Sequence, residues 1–298
     1  MRFGICFLIF SVFFCGLAVA QEQAKSGFDV NHTKKIEDIR SQVINKAESL
    51  AAFTWNEYAE FLDELKKDRY IVTTGKDFNS TVNDEKIVVY MRHDIDINPF
   101  AALKMAQMEK QRGICSTFYV LHSARYYGVQ SSSGVCRYAQ MDILYKKIAQ
   151  MGHEIGVHND LIGLMIQSDI SPLIFQRREL DYYTKAGFDI TGVVSHGSSV
   201  VAKCNLNNTW IFSEFGKKGI FENNGKIYTY GDNSFRDFGF EYEGYKFKLD
   251  QRAHDIGGKF TASIKGCNNF VDFLQKCETG QRISILTHPV WWGRNLGK

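Results

Sequence analysis

Lys86-Ile87-Val88-Val89-Tyr90-Met91-Arg92-His93-Asp94-Ile95-Asp96 is the stretch on which the fold turns. Its apolar run, 87–91, is rich in β-branched residues and ends abruptly in charge. A short run with no polar alternate is the pattern of a strand buried on both faces, as in a parallel sheet covered by helices. Residues 98–112 then take helical spacing, with Ala102, Met105, Ala106 and Met108 inward and Gly113 as the stop. Working outward, the alternation repeats. Strands are expected at 114–120, 153–158 and 190–195, helices near 139–151, 171–186 and 206–218, and a last strand over 282–287. Short apolar strands separated by helices predict parallel pairing through right-handed crossovers. The fold class is therefore α/β. A distorted or incomplete parallel β/α barrel suits a chain of 298 residues, since such barrels take about 250; an open doubly wound sheet is the competing arrangement.

On the N-terminal side, 21–85 reads as a helical segment packed outside the barrel. Ile36, Ile39, Val43 and Ile44 fall at helical spacing. Thr54-Trp55-Asn56-Glu57 is a capping box, opening a stripe of Trp55, Tyr58, Phe61, Leu62 and Leu65 that ends near Lys67. Residues 1–20 carry a basic start, an apolar run over 3–14 and Ala18-Val19-Ala20, the layout of a secretory signal peptide. A secreted or periplasmic protein with no stable membrane span after its removal is expected.

Composition narrows the partners. With 44% hydrophobic residues, 25 Gly and 3 Pro, the chain is neither disordered nor collagen-like. The 36 basic and 33 acidic residues nearly balance, and no basic stripe points to nucleic acid. Removing Cys6 and Cys15 with the leader leaves Cys115, Cys136, Cys204, Cys267 and Cys277, an odd set without a CxxC pair. That argues against a zinc knuckle and leaves at least one thiol unpaired.

Ligand-binding groups of parallel β/α folds gather at the carboxyl ends of strands. Alternation puts Arg92, Asp94 and Asp96 on one face of the first strand. Two close carboxylates need a cation or a shared proton; a helix cap paired with Arg92 explains them equally well. Gly152-His153-Glu154-Ile155-Gly156-Val157-His158-Asn159-Asp160 is not HExxH, because its histidines are five apart and face opposite sides of a strand. His158, nearer the strand end, is the better ligand, and His153 is expected to be packed. Ser195-His196-Gly197 and Leu286-Thr287-His288 add two more imidazoles at strand ends. Asp and His delivered to one rim by four strands point to metal-dependent hydrolysis.

Together, 92–96, 152–160, 195–197 and 286–292, with Ile227-Tyr-Thr-Tyr-Gly-Asp232, resemble the polysaccharide deacetylase superfamily (NodB-homology domain, carbohydrate esterase family 4-like). The resemblance is to its branch with an Arg-His-Asp-x-Asp first motif. It spans about 86 to 292 and implies a deacetylase-like catalytic domain over 86–298, with metal-dependent removal of acetyl groups from a polysaccharide or glycan. By position it implies Asp94 as general base, Asp96 and His158 as metal ligands and His288 as general acid. The chain departs from the pattern at Ile162, where the second motif has a further histidine, and at Ser195-His196-Gly197, which replaces an Arg-containing motif. His196 is therefore expected to complete the ligand set, around Zn²⁺ by preference. Arg92, Asp232, Trp291 and Trp292 are candidates to meet substrate, with Tyr126 and Tyr127 as further stacking candidates; core packing or an aromatic rim explains each aromatic equally well, and a turn explains Asp232 better. Two rival classes remain at this stage: a non-catalytic carbohydrate-binding relative, and a glycosyltransferase using Asp94-Ile95-Asp96 as a DxD motif.

Overall fold

A computed structural model describes residues 28–294 apart from 32, 48, 132, 133, 169 and 224. The signal-peptide reading of 1–20 lies outside the described residues. Among them, no helix is long and apolar enough to cross a membrane.

The strands run β1 (Phe28–Asn31), β2 (Tyr70–Thr73), β3 (Ile87–Ile95), β4 (Thr117–Leu121), β5 (Gly128–Ser131), β6 (Gly134–Tyr138) and β7 (Glu154–Asn159). They continue with β8 (Gly192–Ser195), β9 (Gly219–Asn223), β10 (Lys226–Tyr230), β11 (Tyr242–Glu243), β12 (Gln251–His254), β13 (Thr261–Ala262) and β14 (Arg282–Thr287). The result is a mixed α/β protein whose main sheet curls into a half-barrel in the order β11-β8-β7-β4-β3-β14-β12-β13. β3 sits centrally, with β14 on one side. On the other side β2 pairs with its first half and β4 with its second. Neighbours in this sheet pair in parallel except β12 with β13.

Register decides what each face carries. Tyr90 aligns with Ser284 and Arg92 with Leu286. Asp94 aligns with Tyr119, Leu121 with His158, and His158 with Val194. Because side chains alternate, Tyr90, Arg92, Asp94, Tyr119, His158 and Val194 share the concave face. Ile87, Val89, Met91, Phe118, Val120, Ile155, Val157, Val193, Ile283 and Ile285 share the convex one. The convex set joins the large apolar core, into which the helices Ile36–Ala47 and Trp55–Leu65 lay Ile39, Val43, Tyr58, Phe61 and Leu62. Each such burial contributes about 1.5–3 kcal/mol. Val88, Tyr90, Tyr119, Val194 and Tyr242 form a second, smaller core inside the curl with Phe78 and Phe247.

The helices form where spacing and caps predict. Thr54 and Glu57 make the reciprocal capping box. Asn98 accepts from the Ala101 amide at the start of Pro99–Lys110. That helix ends in a Schellman turn, with Ile114 N donating to Glu109 O, Gly113 N to Lys110 O, and Gly113 at φ 71°. This closure occupies residues that a strand from 114 would need, so β4 starts only at Thr117.

Several elements differ from the sequence expectation. The helix expected near 206–218 is two 3₁₀ turns, Asn208–Ile211 and Ser213–Phe215. Asn207 caps the first, while the Asn208 side chain bonds across to Asp160, His196 and the Ile162 amide. Tyr70–Thr73, within the segment read as helical, pairs with β3 in the main sheet; its brevity after a charged turn hides it. Asp160 is followed by a short helix, Leu161–Gln167, that buries Ile162. Among the described cysteines, Cys277 is buried and Cys115, Cys136, Cys204 and Cys267 are half-buried.

Candidate metal centre

Five polar side chains meet where β3, β7, β8 and β14 end. Asp94 is the penultimate residue of β3, 2% exposed, and its Oδ2 accepts from Arg92 Nη2 at 3.0 Å. The chain turns immediately, Asp96 N donating to Asp94 O at 3.1 Å, which brings Asp96 to the rim. On β7, His158 Nδ1 donates to Val194 O at 3.1 Å. A carbonyl partner fixes the proton on Nδ1 and leaves the Nε2 lone pair free. Nε2 lies 3.3 Å from Asp96 Oδ1 and 3.6 Å from Asp94 Oδ2. His196 follows β8, its amide donating to Asn159 O at 2.8 Å, and its Nε2 stands 3.8 Å from Asp96 Oδ1. His288 follows β14; its amide donates to both oxygens of buried Asp255, its Nδ1 is 2.6 Å from Asp255 Oδ1, and its Nε2 is 3.9 Å from Asp96 Oδ2.

Asp96, His158 and His196 thus form a triad able to hold a metal ion, their donor atoms all within 4.8 Å of one another. The fit to a cation rests on unmet polarity. Asp96 Oδ1 and Asp94 Oδ1 are buried oxygens with no hydrogen-bond partner, an arrangement that is costly unless a positive charge faces them. Burial opposes ionisation of Asp96, yet His158, His288 and His196 facing it hold its pKa down at about 2. The separations of 3.3 and 3.8 Å from the shared Oδ1 are close to the ~3.4 Å between tetrahedral ligands at zinc–ligand lengths of about 2.0–2.1 Å.

A second ring of residues orients the first. Asp160 Oδ2 stands 3.6 Å from His196 Nδ1 and accepts from Ser123 Oγ at 2.6 Å, while its Oδ1 accepts from Asn208 Nδ2 at 2.8 Å. A Cβ on Gly163 would stand 2.2 Å from Asp160 Oδ1, so only glycine lets the helix come so close. Asp160 N donates to His122 Nε2; burial pulls His122 down to about 4, so this ring stays neutral. Behind His288, Trp292 Nε1 donates to Asp255 Oδ2 at 2.8 Å. Such carboxylate–histidine pairs fix ring orientation and raise ligand basicity. Burial opposes charge on His288, but the Asp255 hydrogen bond and charge, helped by Asp94 and Asp96, raise its pKa to about 9.

Sequence reading placed Arg92, Asp94, Asp96, His158, His196 and His288 together, and the structure brings all six to one rim. His153 is packed as expected, its Nε2 at 3.0 Å from Ala106 O on the helix side of the sheet. Trp292 is a correction: at 3% exposure it stacks on Phe53 with ring centroids 4.8 Å apart and serves Asp255, so it offers no face to a sugar. Tyr126 and Tyr127 take the core-packing alternative, being buried at 1% and 2%. Trp291 is half-buried, its carbonyl accepting from the Ala52 and Phe53 amides. Asp232 lies after β10 and finds its partners in Lys218 and Thr229, away from these contacts. Asp160 and Asp255 were missed as orienting groups. Asp160 stood inside the quoted motif two residues after His158, whereas Asp255 follows a short strand that periodicity does not mark.

Comparison of the chain with family models, with curated proteins and with solved structures returned no match.

Proposed function

We propose that the protein is a metal-dependent hydrolase that removes acetyl groups from N-acetylated, or O-acetylated, sugars of a polysaccharide or glycan outside the cytoplasm. The observation that carries this reading is the convergence of three imidazole Nε2 atoms, those of His158, His196 and His288, on Asp96, with Asp94 Oδ2 3.6 Å from the first of them. In this reading the half-barrel is a parallel β/α barrel of the polysaccharide deacetylase kind, left open on one side. His196 takes the ligand place that Ile162 vacates, since Ile162 is fully buried in the apolar core.

A divalent ion, Zn²⁺ by its N₂O donor set, would be held by Asp96, His158 and His196, and it supplies polarisation of the acyl carbonyl and acidification of the attacking water. Asp94 accepts the water's proton: Oδ2 is pinned by Arg92 and Oδ1 is free. Arg92, buried at 4% exposure, ion-pairs with that carboxylate at 3.0 Å and holds it in place. His288 carries a proton on Nε2 near neutral pH because its pKa is raised to about 9, and it donates that proton to the departing sugar nitrogen or oxygen as the acyl bond breaks. Asp255 holds the ring in register throughout.

The test is acetate release from chitooligosaccharides and acetylated polysaccharides. Asp94→Asn should lower kcat/KM by about 10²–10⁴-fold while leaving bound metal unchanged. Loss of metal in that variant would reverse the base and ligand assignments. A purified protein that releases no acetate, yet binds glycans after chelation, would overturn the enzyme reading in favour of carbohydrate binding.

A further inference from the structure

A cavity of about 240 Å³ opens on the concave face directly beside the metal centre, sharing Arg92 with it. Its polar lining comes from adjacent strands in register: Tyr90 and Arg92 on β3, Ser284 on β14, Arg252 and His254 on β12. Tyr245 closes one side, its ring 4.5 Å from the Arg92 guanidinium carbon. No aspartate or glutamate is among the described residues that line it.

The donors here lack acceptors. Arg92 spends Nη2 on Asp94 and Tyr245, but its buried Nε has no partner. His254 Nδ1 is also buried without a partner. The Arg252 guanidinium is exposed and makes no ion pair or hydrogen bond among the described residues. A buried guanidinium N–H left unpaired costs stability, so the retention of Arg92 at the wall of a cavity points to a ligand that accepts from it. Asp94 answers the charge of Arg92, and burial pushes Glu243 up to about 8, so that carboxyl is mostly neutral at pH 7. Arg252 is then the cation left to be met.

We infer that this cavity binds the carboxylate of an acidic sugar, so that the metal centre acts on acetylated glycans containing a uronate. The second half of that statement rests on the hydrolase reading above. A carboxylate suits the lone Arg92 Nε–H on one strand and the Arg252 guanidinium on another, each taking one oxygen. A phosphate ester carries up to two charges and three free oxygens, more than one uncompensated arginine and one lone donor satisfy.

Titration calorimetry of the full chain with D-glucuronate, D-glucose and glucose 6-phosphate tests the assignment. Glucuronate is expected to bind about tenfold tighter than glucose and tighter than the phosphate ester. Arg252→Ala, at an exposed position outside the metal triad, should erase most of that margin without changing metal content or the thermal melt, and Arg252→Lys should restore part of it. Equal affinity for glucuronate and glucose, an unchanged margin in Arg252→Ala, or preference for the phosphate ester would each overturn the carboxylate assignment. Selective glucuronate binding without acetate release from any acetylated uronate would leave the cavity assignment standing and defeat the hydrolase reading instead.

Discussion

Three imidazole nitrogens approach one carboxylate at Asp96, and each ring is turned that way by a partner on its far side: Val194 O for His158, Asp160 for His196, Asp255 for His288. The partners differ, and so do the roles they permit. A carbonyl partner takes up Nδ1 of His158 and leaves its Nε2 free, while the carboxylate of Asp255 at 2.6 Å favours a protonated His288. This gives a pH signature. The folded-state pKa of His288 is raised to about 9, above the ~6.5 of an unfolded histidine. Its stabilising contribution is therefore complete below about pH 6.5 and is lost as pH rises through about 9. Denaturant melts of the metal-free protein should show stability falling across that window, and His288→Gln should lack the fall. Identical slopes in the two proteins would contradict the pairing with Asp255.

Among elements, the strands were legible and the turns were not. β3 announces itself by an apolar run ending in Asp, the composition of a strand buried on both faces, and β14 by alternating buried Ile and half-buried residues that lead into His288. Parity then fixed that Arg92 and Asp94 share a face and that His153 and His158 do not, and both relations hold in the structure. Periodicity carries no such signal for the 3₁₀ turn at Asn208, whose conformation is set by side-chain hydrogen bonds to residues more than ten positions away. It was equally silent about Trp292, since an aromatic near a strand-end histidine reads the same whether it faces solvent or core. The short helix Leu161–Gln167 shows how tightly such an element is fitted to the site. Gly163→Ala should favour the helix itself by about 1 kcal/mol, yet its Cβ would meet Asp160 Oδ1 at 2.2 Å. Metal affinity is expected to weaken about 10–100-fold with the circular dichroism of the helices preserved. Unchanged affinity, read by metal titration, would mean that Asp160 does not orient His196.

For the whole molecule, the curl of the sheet divides labour between its faces. The convex face is tied to the helices by apolar packing and by buried Glu109, which accepts from Tyr58 Oη and Ser116 Oγ, both at 2.5 Å, and pairs with His93 Nε2 at 3.0 Å. The concave face is filled below the rim by Tyr90, Tyr119 and Tyr242, linked hydroxyl to hydroxyl at 2.6 and 2.8 Å, and Tyr242 Oη ends the chain on Glu154. Between these two cores the strands have little freedom, and their carboxyl ends hold Asp94, His158, His196 and His288 in fixed positions. Metal analysis of the purified protein beside its His196→Ala variant examines that arrangement most directly. One divalent ion per wild-type chain, removable by chelation and bound at least about tenfold more weakly in the variant, is the predicted result. A wild-type protein that takes up no ion under saturating zinc, or a variant that holds it equally well, would contradict the account.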